Sequence, residues 1–422
     1  MESDLVAREA DLEARHPPAW IFGITNIPFG VAGTYSGVAM PFFLRSAGLP
    51  VKEIAALTAL ALVPSTWQFL WAPVLDLWIP RRFWLVLVSI LGGVCLGMSL
   101  EVSLPQHIGM YTFLVVAGQA LTGLVGSCNG ALVSTTLPER LRDTAAGWVN
   151  AANLGAAALG GGLVMTLVGH SAHLAAVGLV IMVVAPSLAA LSITEDPPSR
   201  EPLLKHLGEM GRHVWIAVKS RRGWTGLLFC ISPVGTVALG NLFSALGPDY
   251  MHGLSKAAGD NLIALVNGYL GSFITAGGCL ATGFLLKRVN RRTAYLMSGV
   301  LTALVAGAMS LFPSTPTTFV VGVAVYLLVT GLAYTAFSAV VYEIVGTASQ
   351  SASALYSVFP AVGNTAIVYT LALDGLAQDR WGVKGPLWAD AALNVLGVCA
   401  LLLLLRVVFP ETKSKSVVLI EG

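Results

Sequence analysis

The residues of this sequence whose types could do chemistry are polar side chains set inside long apolar runs. Asn26 and Tyr35 stand in one run, Trp67 and Gln68 in the next, and Gln119 and Asn129 in another. Asn153, Asn241, Asn267, Tyr269, Tyr334 and Asn364 follow further along the chain. Amides, phenols and an indole exchange hydrogen bonds with a neutral solute but supply no nucleophile or general base at neutral pH. Such groups are costly against lipid, so each is expected to face a cavity or a neighbouring helix. Where one only bridges two helices, its bond contributes on the order of 0.6 kcal/mol.

The 22 acidic residues fall in loops or near the ends of the runs. Glu101, Asp249, Asp374 and Asp390 lie toward one side, Asp76 and Glu343 toward the other. Asp249, Asp374 and Asp390 are the candidate proton acceptors. No Lys or Arg stands mid-run to neutralise a phosphate or carboxylate, which disfavours a strongly anionic solute. All seven histidines fall in loops or at run ends. Cys95, Cys128, Cys230, Cys279 and Cys399 lie in apolar runs without a CxxC and are expected to pack. No catalytic residue, metal centre or cofactor is predicted, so an enzyme is not expected. No P-loop G-x-x-x-x-G-K-[ST] occurs, which sets aside a primary ATP pump.

The elements that must position these groups follow from composition. The chain has 422 residues, 55% hydrophobic and 11% charged. Its mean hydropathy is +0.76. A soluble domain carries roughly 25% charged residues, so this chain could not cover itself with a charged surface. A net charge of +2 gives no footprint for nucleic acid. The expected class is an all-α polytopic protein of a cell membrane (the inner membrane in a Gram-negative bacterium), partnered by lipid and a small solute, and monomeric.

About 20 apolar residues cross the hydrocarbon core. Twelve such runs occur, near 19–44, 53–76, 83–103, 110–135, 143–168, 172–192, 223–250, 259–286, 293–312, 317–343, 351–374 and 386–409. The expected organisation is a segment 1–18, a six-helix bundle 19–192, a linker 193–222, a second bundle 223–409 and a tail 410–422. Met1 to His16 is polar and acidic, unlike a cleaved signal. With both termini cytoplasmic, all of the 24 Lys and Arg fall inside except Arg45, Lys52, Lys256, Arg380 and Lys384. That division matches the retention of positive charge in the cytoplasm.

Half the chain repeats. Pro73-Val-Leu75-Asp76-Leu-Trp-Ile-Pro80-Arg81-Arg82 lies between the second and third runs. Shifted by 210 residues, Gly283-Phe-Leu285-Leu-Lys287-Arg288-Val-Asn290-Arg291-Arg292 lies between the eighth and ninth. Two halves, each with a basic loop after its second helix, describe a transporter built from parallel repeats. Asp76 at a helix end beside Arg81 and Arg82, with Arg288, Arg291 and Arg292 opposite, suggests a cytoplasmic latch. As a partly exposed pair it is expected to cost about 0–1 kcal/mol when broken.

The second copy resembles the loop signature of the major facilitator superfamily, G-x-L-x-D-R-x-G-R-R, with Lys287 in the acidic place and Asn290 for a glycine. Gln68-Phe-Leu-Trp-Ala-Pro-Val-Leu-Asp76 is similar to the F-L-W-A-P-x-x-D segment of the muropeptide permease (AmpG) family and its relatives, the acetyl-coenzyme A transporters. Pro138-Glu139-Arg140 leading to Ala146-Gly-Trp-Val-Asn150, and Ala348-Ser-Gln-Ser-Ala-Ser-Ala-Leu-Tyr-Ser357, resemble that family's entries to helices 5 and 11. The resemblance implies alternating access by two pseudo-symmetric six-helix bundles, proton coupling, and a central cavity lined by helices 1, 4, 7 and 10 beside 2, 5, 8 and 11. Asn153 and Asn364 would then sit near the midpoints of equivalent helices and hold opposite sides of one solute. A muropeptide, siderophore or sugar-containing compound suits that lining. Other readings are a uniporter or drug exporter of the same fold, a channel, and a membrane assembly protein that transports nothing. Gly160-Gly161-Gly162 is expected to serve close helix packing.

Overall fold

The computed structural model describes residues 16–49, 51–156, 158–168, 170–195, 208, 211–212, 215–216, 219–345 and 352–408. The start of the N-terminal segment, most of the linker, the C-terminal tail and Ala348–Ser351 of the helix-11 motif lie outside the described residues. Among the described residues the chain is helical, without a β-sheet.

Among the described residues outside the linker, the helical elements follow one another in this order. α1 runs Trp20–Thr34, passes through a π-helical stretch Tyr35–Ala39 and ends as Met40–Ser46. α2 (Val51–Trp67) tightens into 3-10 turns at Gln68–Leu70 and Ala72–Asp76. α3 (Arg81–Leu100) and α4 (Ile108–Thr136) are continuous. α5 (Glu139–Gly155) continues through a π-helical Ala158–Leu163 to Val164–Val168, and α6 (Ala172–Ser187) ends in a 3-10 turn, Leu188–Ser192. α7 (Arg221–Ile231) breaks, then resumes as short turns Ala238–Asn241, Phe243–Leu246 and Gly247–Tyr250. α8 runs Lys256–Ala264, a π-helical Leu265–Leu270 and Gly271–Leu285. α9 (Arg291–Leu311), α10 (Pro316–Val345), α11 (Ala352–Trp381) and α12 (Gly385–Val408) complete the order.

Among the described residues eight stretches are long and apolar enough to cross a membrane, and the last, Tyr356–Leu404, takes in both α11 and α12. α1, α2 and α7 are not among them. Local chemistry explains several starts. The Ser171, Ser220 and Ser255 hydroxyls accept backbone N–H bonds at the heads of α6, α7 and α8's first segment, and the Asn290 side chain does so at the head of α9. Two departures from the sequence expectation are larger than a few residues at a helix end. α11 runs on to Trp381 instead of stopping at residue 374. The seventh run is not one helix, because Ser232-Pro233-Val234-Gly235 turns the chain and Gly235 (φ +61°) and Val237 (φ +47°) are left-handed.

Within the first half α3 packs on α4 and α6, and α1 on α4, α5 and α6; within the second, α8 and α9 pack on α10, and α12 on α9 and α11. Between halves, α5 packs on α8 and α10 while α11 packs on α2 and α4. These two sets of contacts map onto each other under the 210-residue shift. The α5–α8 crossing is backbone-close: a Cβ on Gly147 would lie 2.9 Å from the Cα of Gly283. Gly160 likewise lies against Val31 and Thr34 of α1, the packing use expected of the glycine cluster. Cys128, Cys230 and Cys279 are buried as expected, whereas Cys95 is half-buried and Cys399 exposed on the outer face of the bundle.

Candidate functional site

Where the halves meet, a cavity of about 160 Å³ opens between α1, α2, α5, α7, α9, α10 and α11. Of the sequence candidates, Gln68, Asn153, Tyr334 and Asn364 line it. Asn153 and Asn364 are half-buried and make no protein hydrogen bond among the described residues. Gln68 is buried with its Oε1 unpartnered. These amides are therefore uncommitted.

The other candidates do not line this cavity, and their bonding shows why. Asn26 donates to Val149 O of α5 (3.3 Å). Asn129 donates to Phe22 O (2.9 Å) and accepts from the Thr25 hydroxyl (2.7 Å), tying α4 to α1. Gln119 donates to Ala32 O (2.7 Å), and the Tyr35 hydroxyl pairs with Ser99 Oγ (2.7 Å). A buried amide finds a backbone carbonyl wherever a neighbouring helix passes close, so the three amides, with the Tyr35–Ser99 pair, fasten α1 to its neighbours. Trp67 and Asn241 are exposed, and Asn267 is half-buried on the π-helical stretch of α8. Tyr269 is 49% exposed and rests its hydroxyl end against Gly162 of α5.

Several lining residues carried no such expectation. Asn150 Nδ2 donates across the halves to Ser338 Oγ (2.8 Å), and both line the cavity. Asn150 sits one turn before Asn153 in the same helix, which was signal enough to find it. The broken part of α7 brings Val234, Gly235 and Thr236 to the wall. Its unwound backbone is satisfied: Asn394 Oδ1 accepts from Gly235 N (2.9 Å), and the Tyr295 hydroxyl donates to Val234 O (2.6 Å). Irregular backbone is tolerated at membrane depth where protein covers it or it lines a cavity. Toward the basic loops, Tyr356 stacks on Tyr342 (ring centroids 5.5 Å apart) and presses on Gly130 of α4. None of the residues lining the cavity is Asp, Glu, Lys or Arg.

The residues expected to form a latch do make ion pairs, but with other partners than expected. Asp76 Oδ1 accepts from Arg81 Nε (2.7 Å) within its own half, and both side chains are buried. This pair joins two residues of one half, and it is buried rather than partly exposed as expected. Arg82 pins the end of α6, donating its backbone N–H to Glu195 (2.9 Å) and its guanidinium to Ile193 O (2.8 Å). Burial raises the Glu195 pKa above the ordinary carboxylate range, against the pull of the Arg82 N–H. The bond that crosses belongs to Arg291, which donates to Asp143 Oδ1 (2.6 Å) and Glu139 Oε1 (3.0 Å) at the head of α5. Arg292 holds Glu343 of α10 (2.8 Å), and Arg288 is exposed. Asp374 and Asp390 are fully buried, and Asp249 is exposed.

Residues 22–367 match the family model for the Major Facilitator Superfamily. No curated protein matches the sequence at a significant level. Among solved structures, the E. coli fucose:proton symporter FucP is similar with a TM-score of 0.65 and 11% identity, over 91% of this chain and 97% of that one. The human organic anion transporter MFSD10 (TETRAN) gives 0.64 and 16%, over 91% and 100%. The proton:xylose symporter XylE, solved with 6-bromo-6-deoxy-D-glucose, gives 0.64 and 12%, over 92% and 96%. At these identities the likeness is one of fold.

Proposed function

The chain belongs to the Major Facilitator Superfamily, a family of multi-pass membrane transporters, and from that premise we propose that it moves a neutral or zwitterionic amphipathic solute by alternating access, coupled to protons. The observation that carries the solute class is the lining: uncommitted amides at Gln68, Asn153 and Asn364, phenols at Tyr295, Tyr334 and Tyr356, and no charged side chain. An uncharged polar lining has nothing to neutralise an anion such as acetyl-coenzyme A, while sugar hydroxyls or acetamido groups can both donate to and accept from it. Muropeptides, siderophores and sugars are thus the solutes to try, as in the subfamily the motif at Gln68–Asp76 resembles. FucP and XylE, both proton symporters of sugars by name, support including sugars and a proton gradient.

At about 160 Å³ the cavity is smaller than the roughly 300–1,000 Å³ of ligand pockets, so the halves must part to admit a solute. The cross-half bonds of Arg291 are what that parting has to break. Asp249, Asp374 and Asp390 are the acids proposed for the coupling proton.

A thermal-shift screen of muropeptides, siderophores and sugars identifies the solute, and uptake into proteoliposomes with and without an acid-outside gradient tests the coupling. Asn153→Ala and Asn364→Ala should each weaken the identified solute's binding by between fivefold and 150-fold, the cost of leaving a polar group unpaired at about 1–3 kcal/mol. Wild-type affinity in both variants, measured by calorimetry, would reduce these asparagines to packing residues. Uptake unaffected by the gradient would leave a uniporter.

A further inference from the structure

α11 and α12 form a hairpin joined by Gly382–Lys384. Gly385 packs directly on the backbone of Ala377. From that contact Asp374 lies three residues into α11 and Asp390 five into α12, which places them within about 3 Å of each other in depth at 1.5 Å per residue. Tyr326 of α10 reaches the same place. Both carboxyls are fully buried. The Tyr326 hydroxyl donates to Asp390 Oδ2 (3.2 Å). Asp390 Oδ1 and both oxygens of Asp374 have no donor.

No Lys or Arg pairs with either carboxyl among the described residues. Arg380 is exposed at the hairpin tip, and Lys384 Nζ turns to Phe312 O (3.5 Å). α9 and the broken part of α7 also pack here. α9 carries its only charged residues, Arg291 and Arg292, at its far end, and α7's Asp249 is exposed. Two uncompensated charges at fully buried neighbouring positions are not sustainable. One positive charge is missing from the site.

Resting on the proton-coupled reading above, we propose that Asp374 and Asp390 form a one-proton site in which Asp374 carries the proton and Asp390, held by the Tyr326 hydroxyl, stays the anion. Asp390 is the acid with a donor, which suits a carboxylate; Asp374 has none, which suits a neutral carboxyl. Binding forms one O–H bond on Asp374 and takes the pair from two negative charges to one. None of the three residues lines the solute cavity. The proton and the solute therefore do not compete for a group, and they communicate along α11. Its cavity-facing Asn364 lies ten residues, about 15 Å, from Asp374.

Infrared pH titration of the purified full chain in D2O, which needs no solute, tests the site. The wild type should show one protonated-carboxyl C=O band surviving at neutral pH, equally in NaCl and choline chloride. Asp374→Asn should lose the band and Asp390→Asn should keep it. Tyr326→Phe, which removes the donor that favours the Asp390 anion, should carry the band to higher pH. A wild type without the band, a band lost in Asp390→Asn but kept in Asp374→Asn, or a band abolished by sodium alone would each overturn the proposal. Size-exclusion profiles confirm that the variants fold. The proton-coupled reading fails separately, by gradient-independent uptake in the wild type.

Discussion

The two basic loops begin from the same pattern 210 residues apart and end in opposite arrangements. In the first, Arg81 folds back on Asp76, and that buried ion pair joins two residues of one half. In the second, Arg291 reaches across to Asp143 and Glu139. The partners decide it. Under the repeat shift Asp76 corresponds to Leu286 and Asp143 to Ser353, so the near acid of the first loop has no counterpart in the second, and the crossing Asp143 has none in the first. Backbone shape adds to this. Gly283 lets α8 touch α5 at Gly147, while Pro73 takes the same place in the first copy and the end of α2 tightens into 3-10 turns instead. Equivalent sequence positions thus divide the work: one loop stiffens a half, the other joins the halves.

The largest effect should come from the crossing bond. Arg291→Gln leaves Asp143, whose side chain is 8% exposed, without its cation, a loss of about 3 kcal/mol for a largely buried pair. The basic-loop end should then open on the order of 100-fold more often. In a variant retaining only Cys230, which lines the cavity, maleimide should label that cysteine correspondingly faster. An unchanged labelling rate would dissolve the contrast between the loops.

Asp76→Asn probes the other side. The pair is buried, so its loss should lower stability by about 1–3 kcal/mol, seen as a lower melting temperature. Cys230 labelling should stay at the wild-type rate. Faster labelling would mean that the first loop gates as well, and the division of work would be wrong.

The smallest change sharpens the same idea inside the first half. Asn26→Ala removes one bond from α1 to α5 and should cost on the order of 0.6 kcal/mol. Solute affinity should not move. A weakened affinity would place α1's amides in the site after all.

Much of the fold was legible because lipid simplifies the code. Twenty-residue apolar runs, the sidedness of Lys and Arg, and the shifted copies of one basic loop suffice to expect two six-helix halves. The site was legible only in part. Asn26, Gln119 and Asn129 read the same as Asn153 and Asn364, since all are amides within apolar runs. A backbone carbonyl of the neighbouring helix takes up the first three and leaves the other two free, which depends on how closely particular helices pass. The break in α7 was foreshadowed by Ser232-Pro233-Val234-Gly235, but the support that Asn394 and Tyr295 give it comes from residues far away in sequence.

Sequence alone therefore determined class and repeat, and set the expectation of sidedness, because hydropathy and charge act residue by residue against a uniform solvent. Only the tertiary structure decided which polar groups remain unpaired, which arginine crosses between the halves, and that Asp374 and Asp390 share one buried place. Those outcomes rest on short-range hydrogen bonds and ion pairs, whose partners are set by the meeting of helices hundreds of residues apart rather than by any local run.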